Sequence, residues 1–325
     1  MSPLRQYLTT PLRQWLEDRR TIRRGQNQLK AHGQAYYGFW SLGPMQERWF
    51  FRFLQRPAFD DLLHEKQVQF FSVFGRRRLL RYAKPHPPRV FFTGEHLANY
   101  PTWADHALEA VDLALGFDSL NHERYLRFPL WLLDIFPPEA DLDAIQKRLS
   151  ALQAAANNFT NRECFAALIA RHDNNGIRGK MADLTTNYGR VDFPGLFRNS
   201  MQPILAPGYV HKLALLHKYK FNLCPENTDA PGYVTEKLWH AIAAGCIPIY
   251  WGAGNQPEVD ILRQQAILFF QPDEPQALAE QLETLLASPA KLQAFATQEK
   301  FQPDAAEKIH AYFLRLEHKL LEVLS

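Results

Sequence analysis

Apolar positions in this 325-residue chain follow two periods, and each period predicts its own kind of element. Leu4, Leu8, Leu12, Trp15 and Leu16 recur at helical spacing, with Arg5, Arg13, Arg19, Arg20, Arg23 and Arg24 among them. The first ~31 residues therefore predict a basic amphipathic helix. Beyond it, short and almost wholly apolar runs predict strands over 35–40, 68–74, 89–93 and 113–117, with a helix over 46–54. The alternation returns later, with strands expected over 164–170, 219–224, 247–251 and 266–270 and helices over 177–187 and 236–244. Asp273 is placed to cap a helix carrying Leu278, Leu282, Leu285 and Leu286, and Asp304 with Glu307 has capping-box spacing. Behind that box Ile309, Phe313, Leu316, Leu320 and Val323 form the stripe of a terminal helix.

Short apolar strands separated by helices are the mark of a parallel sheet covered on both faces. The pattern breaks over 137–160, where Pro137 and Pro138, a polar helix from Leu142 to Ala155 and the stretch Asn157 to Asn161 follow one another. The expectation is an α/β chain of two Rossmann-like halves, 1–158 and 159–303, with a terminal helix over 304–325 packing back on the first. The cleft between the halves is the default ligand site.

Composition narrows the class. A hydrophobic fraction of 46% with 22% charged residues excludes a disordered or collagen-like chain. No apolar run is long enough to cross a bilayer, and the polar, basic start lacks a signal core, so a cytoplasmic chain is expected. The basic first helix has two readings, a helix packed on its own domain with a solvated face or a peripheral contact with an anionic membrane. Cys164, Cys224 and Cys246 are widely spaced and read as small buried thiols. A net charge of +3 makes no case for nucleic acid.

The stretch from Tyr219 to Lys237 carries the most chemistry. It reads as a strand, a polar loop holding Glu226, Asn227, Thr228, Asp229 and Tyr233, and a helix entered near Thr235, with Gly245 as its C′ residue. Open α/β sheets bind ligands at such strand carboxyl ends, where a helix N-terminus offers N–H groups and a positive dipole end to a diphosphate. Lys237 in the first turn opposes the dipole and adds a full charge for an anion, while Glu236 is an acceptor for sugar hydroxyls. An ordinary strand–helix turn with a solvated Glu–Lys pair stands beside this reading.

The stretch resembles the donor-site motif of the α-1,3-fucosyltransferases, glycosyltransferase family 10, above all the bacterial members. The family runs aromatic-Glu-Asn-Ser, a spacer, then Tyr-Val/Ile-Thr-Glu-Lys; here it reads Pro225-Glu226-Asn227-Thr228, then Tyr233 to Lys237, followed by Ile247 to Gly252. A second block, Arg89 to Glu95, Leu115 to Asp118 and Arg124 to Arg127 with Pro129, occurs in the family's order. Pro225 replaces the aromatic and Thr228 the serine, which alters loop geometry but keeps the polar groups.

The resemblance implies a GT-B fold, with GDP-fucose on the C-terminal half and the acceptor sugar mainly against the N-terminal half. It implies inverting transfer of L-fucose to a glycan hydroxyl, O3 of N-acetylglucosamine in an acceptor such as N-acetyllactosamine. Glu95 falls on the general base, and Asn227, Tyr233, Glu236 and Lys237 on donor-binding positions. A diphosphate arginine maps to Arg198, with Arg190 as the competing candidate. No cofactor is required beyond the co-substrate GDP-fucose; some members respond to divalent cations, but no ligand set is visible here. On the residues alone Glu95 also reads as a helix-initiating or salt-bridged surface carboxylate.

Competing constellations are thinner. Asp141 and Asp143 are the one Asp-x-Asp match, and they open a helix where acids suit the dipole. His172 and His240 lie near the expected cleft without ligand-like pairing. Arg76 to Arg78, Arg81, Lys84 and Arg89, with Tyr82 among them, form a basic run that a nucleic-acid or anionic-surface protein would also carry. A catalytically inactive nucleotide-sugar-binding relative is the remaining alternative, against which Glu95, Glu236 and Lys237 stand.

Overall fold

The computed structural model describes residues 10–39, 43–63, 67–82, 87–200 and 209–325. They belong to two compact units, Met1–Phe128 with Phe313–Ser325, and Pro129–Tyr312. In the first unit the chain runs through α1 (Thr10–His32), β1 (Gln34–Tyr37), α2 (Trp49–Phe53), α3 (Asp60–Leu63), β2 (Val68–Ser72), α4 (Leu79–Tyr82), β3 (Arg89–Phe92), β4 (Leu113–Gly116) and β5 (Tyr125–Arg127). The five strands pair in parallel in chain order, which puts β3 at the centre. Strands with helices on both faces lose the in–out alternation, and β1, β2 and β4 are buried along their whole length. Aromatic pairs tie strand to strand and sheet to cover: Tyr37 stacks on its cross-strand partner Phe71, and Phe91 on Trp103, each at 4.8 Å.

The second unit continues with α5 (Leu130–Ile135), α6 (Leu142–Ala154), β6 (Cys164–Leu168), α7 (Ile177–Thr186), β7 (Val191–Asp192), α8 (Tyr209–Leu216) and β8 (Tyr219–Pro225). Then come α9 (Glu236–Ala243), β9 (Ile247–Trp251), β10 (Leu268–Phe269), α10 (Pro275–Leu286), α11 (Pro289–Thr297) and α12 (Ala305–Leu324). Its sheet is also all parallel, ordered β10-β9-β8-β6-β7, with β8 central. The last turns of α12 count with the first unit, where Phe313 meets Trp49 at 5.8 Å and Glu317 pairs with Arg56 at 2.8 Å.

The boundary falls at Phe128–Pro129 instead of near 158. Residues 129–158 go with the second unit because Trp131 on α5 stacks on Trp239 of α9 at 4.3 Å, and Gln153 on α6 accepts from the Lys300 N–H at 2.9 Å. The expected helix over 46–54 divides: a 3-10 turn, Met45–Glu47, stops at an extended Arg48 before α2. The strand expected over 35–40 ends at Tyr37 because Gly38 turns the chain at φ +70°; Trp40 lies outside the described residues. Of the strand expected over 266–270 only Leu268 and Phe269 pair, and the N-cap position of α10 is Glu274, not Asp273, with no side-chain capping bond. Asp141 accepts from the Ala144 N–H at 2.8 Å, so the Asp-x-Asp sequence is a helix cap.

Helix α1 packs on its own unit, with Leu29 buried and Asp18, 4% exposed, bonded to Arg76 and Arg78. Leu12 and Trp15 remain exposed on it; Leu4, Arg5 and Leu8 of the expected stripe, and Lys84 of the basic run, lie outside the described residues. Among the described residues no helix is long and apolar enough to cross a membrane. The three cysteines are free thiols, and Cys224 and Cys246 are buried.

Candidate active site

The central strand of the second sheet ends at Pro225, and the next residue is a fully buried carboxylate. Glu226 continues the ladder through its N–H to the Trp251 carbonyl at 2.9 Å, so its side chain has a fixed origin. Its oxygens accept from the Thr235 N–H at 2.8 Å, the Thr235 hydroxyl at 2.7 Å and the Lys237 ammonium at 2.9 Å. Each of those donors belongs to the start of α9. One buried acid thus ties the strand end to the helix start across the polar loop.

Thr235 is the N-cap residue of α9, as its position in the sequence predicts, but its side chain makes no capping bond. The hydroxyl is turned to Glu226 and accepts from Lys237 at 2.8 Å. The lysine that looked out of place against the helix dipole therefore has an internal counter-charge, and burial, which lowers its pKa, is outweighed by Glu226 and Glu236, so the ammonium is held well above its usual range. Burial alone would raise the Glu236 carboxyl; Lys237, Lys212 and His240 outweigh it and hold the group down at about 2. Glu236 is therefore an acceptor at all physiological pH values. Tyr233 is fully buried in the loop. Lys212 on α8 stands 3.7 Å from Glu236.

Asn227, next in the loop, accepts through Oδ1 from Arg178 Nη2 at 2.7 Å. Arg178 is 5% exposed, in the first turn of α7 at the carboxyl end of β6, with its backbone N–H on Asp173 at 3.1 Å. Burial lowers its pKa, while Asp173, Glu226 and Tyr233 act in the opposite direction. Sequence reasoning passed over this arginine. The signal was available: it enters the helix after the neighbouring strand, the same topological position that singled out Lys237.

The two arginines singled out from sequence separate. Arg198 follows β7 at a φ of +48°, lies over the Phe197 ring at 5.3 Å and pairs with Asp183 on α7. A Cβ on Gly179 would stand 3.1 Å from its Nη2 and 3.2 Å from Asp173, which places it beside the α7 start. Arg190 precedes β7, pairs with Asp192 at 2.7 Å and feels Tyr219 and Cys164, the first residues of β8 and β6. It stands at the amino edge of the sheet, opposite the loop that holds Glu226 and Asn227. His240 is buried and bonded to Asp134, and the His172 carbonyl accepts from Arg178.

Glu95 lies in the first unit, three residues past the end of β3, the central strand of that sheet. Its N–H donates to the Thr93 hydroxyl at 3.1 Å, and that hydroxyl donates to the Glu95 carbonyl at 2.8 Å, a closed turn that fixes the backbone. The carboxylate is half-buried, and its charge adds to burial in raising the Tyr100 pKa. From His96 onward a cavity of about 660 Å³ opens, lined by His96, Phe117, Asp118 and His122 among others. His96 stacks on Phe117 at 5.7 Å and His106 bonds Asp118 at 2.9 Å. Among the described residues no three His, Cys, Asp or Glu side chains converge as a metal site.

Comparison with known proteins bears on both units. Residues 35–134 match the α-(1,3)-fucosyltransferase FucT N-terminal domain, and residues 161–316 match the C-terminal region of the glycosyltransferase family 10 fucosyltransferases. The α-(1,3)-fucosyltransferase FucT of Helicobacter pylori is 32% identical over 233 residues, 62% of this chain and 46% of that protein. The chain thus spans about half the length of this curated relative. Two crystal structures of α1,3-fucosyltransferase, one of them with GDP-fucose, share the fold at TM-scores of 0.56 and 0.53, each at 22% identity. They cover 88% and 87% of this chain, and 89% and 90% of their own. With one family matched through both of its regions, the chain belongs to glycosyltransferase family 10.

Proposed function

We propose that the chain transfers L-fucose from GDP-fucose, with inversion, to a glycan hydroxyl, and that the hydroxyl is O3 of N-acetylglucosamine in an acceptor such as N-acetyllactosamine. The observation that carries this is the start of α9. Glu226 holds Thr235 and Lys237 there, at the carboxyl end of the central strand, with Arg178 fixed beside it through Asn227. Two buried or half-buried cations and a helix N-terminus suit a diphosphate. As the bond between the fucose anomeric carbon and the diphosphate oxygen breaks, negative charge grows on the leaving GDP, and cations already fixed in place stabilise it. Arg178 and Lys237 are the groups assigned to that task, with Arg198 as a further cation at the α7 start. Glu236, ionised, accepts from ribose or fucose hydroxyls, and Asn227 and Tyr233 shape the pocket.

On the acceptor side Glu95 takes the hydroxyl proton as the new carbon–oxygen bond forms on the face opposite the departing GDP. Its fixed backbone at a strand end suits a group that must meet a reacting atom in one geometry. The test is a product-structure assay with GDP-fucose and a panel of N-acetyllactosamine-type, Lewis-precursor and simpler acceptors. A fucosylated product with inverted anomeric configuration supports the reading. GDP binding with no transfer to any acceptor would leave a nucleotide-sugar-binding relative instead.

A further inference from the structure

A second cavity of the first unit, about 440 Å³, lies between α1 and the carboxyl ends of β1 and β2, and the reaction proposed above does not use it. Its floor is a close approach of two turns. A Cβ on Gly38 would stand 2.1 Å from the Gly75 Cα, and φ is +70° at Gly38, so only glycine lets the chain leave β1 this way. Tyr36 and Phe39 contribute aromatic walls, and α1 contributes Glu17, Asp18, Arg24 and Gln28. The Tyr36 ring is fixed by its hydroxyl bond to Gln34 at 2.9 Å, and Gln28 is fixed on the Tyr36 N–H at 3.0 Å.

The charges in this cavity are unevenly matched. Glu17 and Asp18 are both taken by Arg76, at 2.7 and 2.8 Å, and Asp18 also by Arg78. Arg24 and Arg48 have no ion pair among the described residues, and the charge of Arg24 acts on Arg48. Burial lowers the Arg48 pKa and Arg24 adds to that, with Tyr36 opposing. Arg48 lies over the Tyr36 ring at 4.6 Å, and its buried Nε has no hydrogen-bond partner among the described residues. A guanidinium lying over an aromatic ring, with no acid paired to it among the described residues and a second arginine close by, is arranged for a carboxylate or phosphate.

We infer that this cavity receives an oxyanion carried by the acceptor, a sugar carboxylate or a sugar phosphate, gripped by Arg48 and Arg24. The inference rests on the proposed fucosyl transfer and extends it to an acidic acceptor. Position supports it: β1, β2 and β3 are neighbours, so the carboxyl ends of β1 and β3 lie about 10 Å apart. An acceptor hydroxyl at Glu95 and an anionic group in this cavity would then be one or two sugar rings apart.

The test is rate measurement with GDP-fucose and three acceptors that differ in one substituent, neutral, carboxylate or phosphate. KM for at least one charged acceptor should fall about tenfold below that of the neutral one, the effect of one charge-assisted pair, with kcat little changed. Arg48→Gln and Arg24→Gln should each erase that advantage, leaving the neutral acceptor's KM and calorimetric GDP affinity within about twofold. Arg24 is exposed on α1, so its variant stays informative if Arg48→Gln fails to fold. Equal KM values for the three acceptors, or an advantage surviving in both variants, overturns the inference, as does binding of inorganic phosphate without any acceptor preference. If no acceptor is fucosylated, the proposed reaction has failed, and calorimetry with methyl glucuronide against methyl glucoside decides this cavity separately. Tighter uronide binding lost in Arg48→Gln upholds it, and equal binding overturns it.

Discussion

Glu226 is the residue on which the donor loop depends. It is buried, and its carboxylate is paired with the Lys237 ammonium at 2.9 Å. Removing one partner of such a pair leaves the other uncompensated. Glu226→Ala should therefore cost about 3 kcal/mol in urea unfolding, and Glu226→Gln, which keeps an acceptor for the Thr235 N–H, clearly less. Equal losses would mean that charge is not what the carboxylate supplies. Lys300 presents the opposite case, a buried ammonium with no ion pair among the described residues, donating to the Ala296 carbonyl at 2.9 Å. Burial lowers its pKa from 10.5 to about 8. Below pH 8 it is charged in both states and the fold carries the penalty. Between about 8 and 10.5 the folded protein releases a proton that the unfolded chain keeps, so stability should rise with pH across that window. Lys300→Met should flatten this rise, by roughly 1–3 kcal/mol, in unfolding measured from pH 7 to 10. No difference between the two proteins would show that Lys300 is hydrated.

Legibility at this scale followed from motif and position. Asn227, Glu236 and Lys237 stand out because a strand, a polar loop and a helix start are all readable around them. Arg178 was not, because nothing in a row of letters says that α7 begins beside the same loop. Glu226 was visible as a polar residue of the loop, but its grip on Thr235 and Lys237 depends on a path through space that spacing alone does not give.

Elements carrying a clear apolar run were readable, and some of the shortest were not. β8, β9, α7 and α9 sit within a residue or two of their expected bounds, since each repeats its apolar pattern. β7 has two residues and α5 six, too few to establish any period. α9 also illustrates how an end is fixed. Gly245 follows it at φ +67°, and a Cβ there would stand 2.2 Å from the Ala155 carbonyl oxygen. Positive φ alone costs an alanine about 1 kcal/mol, and the clash is with backbone that cannot swing away. Gly245→Ala should thus lose about 2 kcal/mol or more in chemical denaturation. A smaller loss would mean that the α6 end can yield.

For the whole molecule, apolar runs announced two parallel sheets, yet Pro137, Pro138 and the Asn-rich stretch after Ala156 drew the boundary some thirty residues late. Periodicity says which residues seek burial and is silent about what they are buried against; the Trp131–Trp239 stack decides that, and it joins positions far apart in sequence. The same division gives the proposed chemistry its sharpest consequence. The assigned base belongs to the first unit and the assigned diphosphate cations to the second, so their contributions should separate in measurement. Glu95→Gln keeps shape and hydrogen bonding but cannot take a proton, and should cut kcat by a factor of about 100 or more while calorimetric GDP affinity stays unchanged. Lys237→Ala should do the reverse on binding, weakening GDP by about tenfold or more, since a charge-assisted bond to the diphosphate is lost whether or not an acceptor is present. Unchanged turnover in Glu95→Gln would remove the carboxylate from the reaction. A loss of GDP affinity in that variant would be more instructive, because it would move Glu95 from the acceptor hydroxyl to the nucleotide.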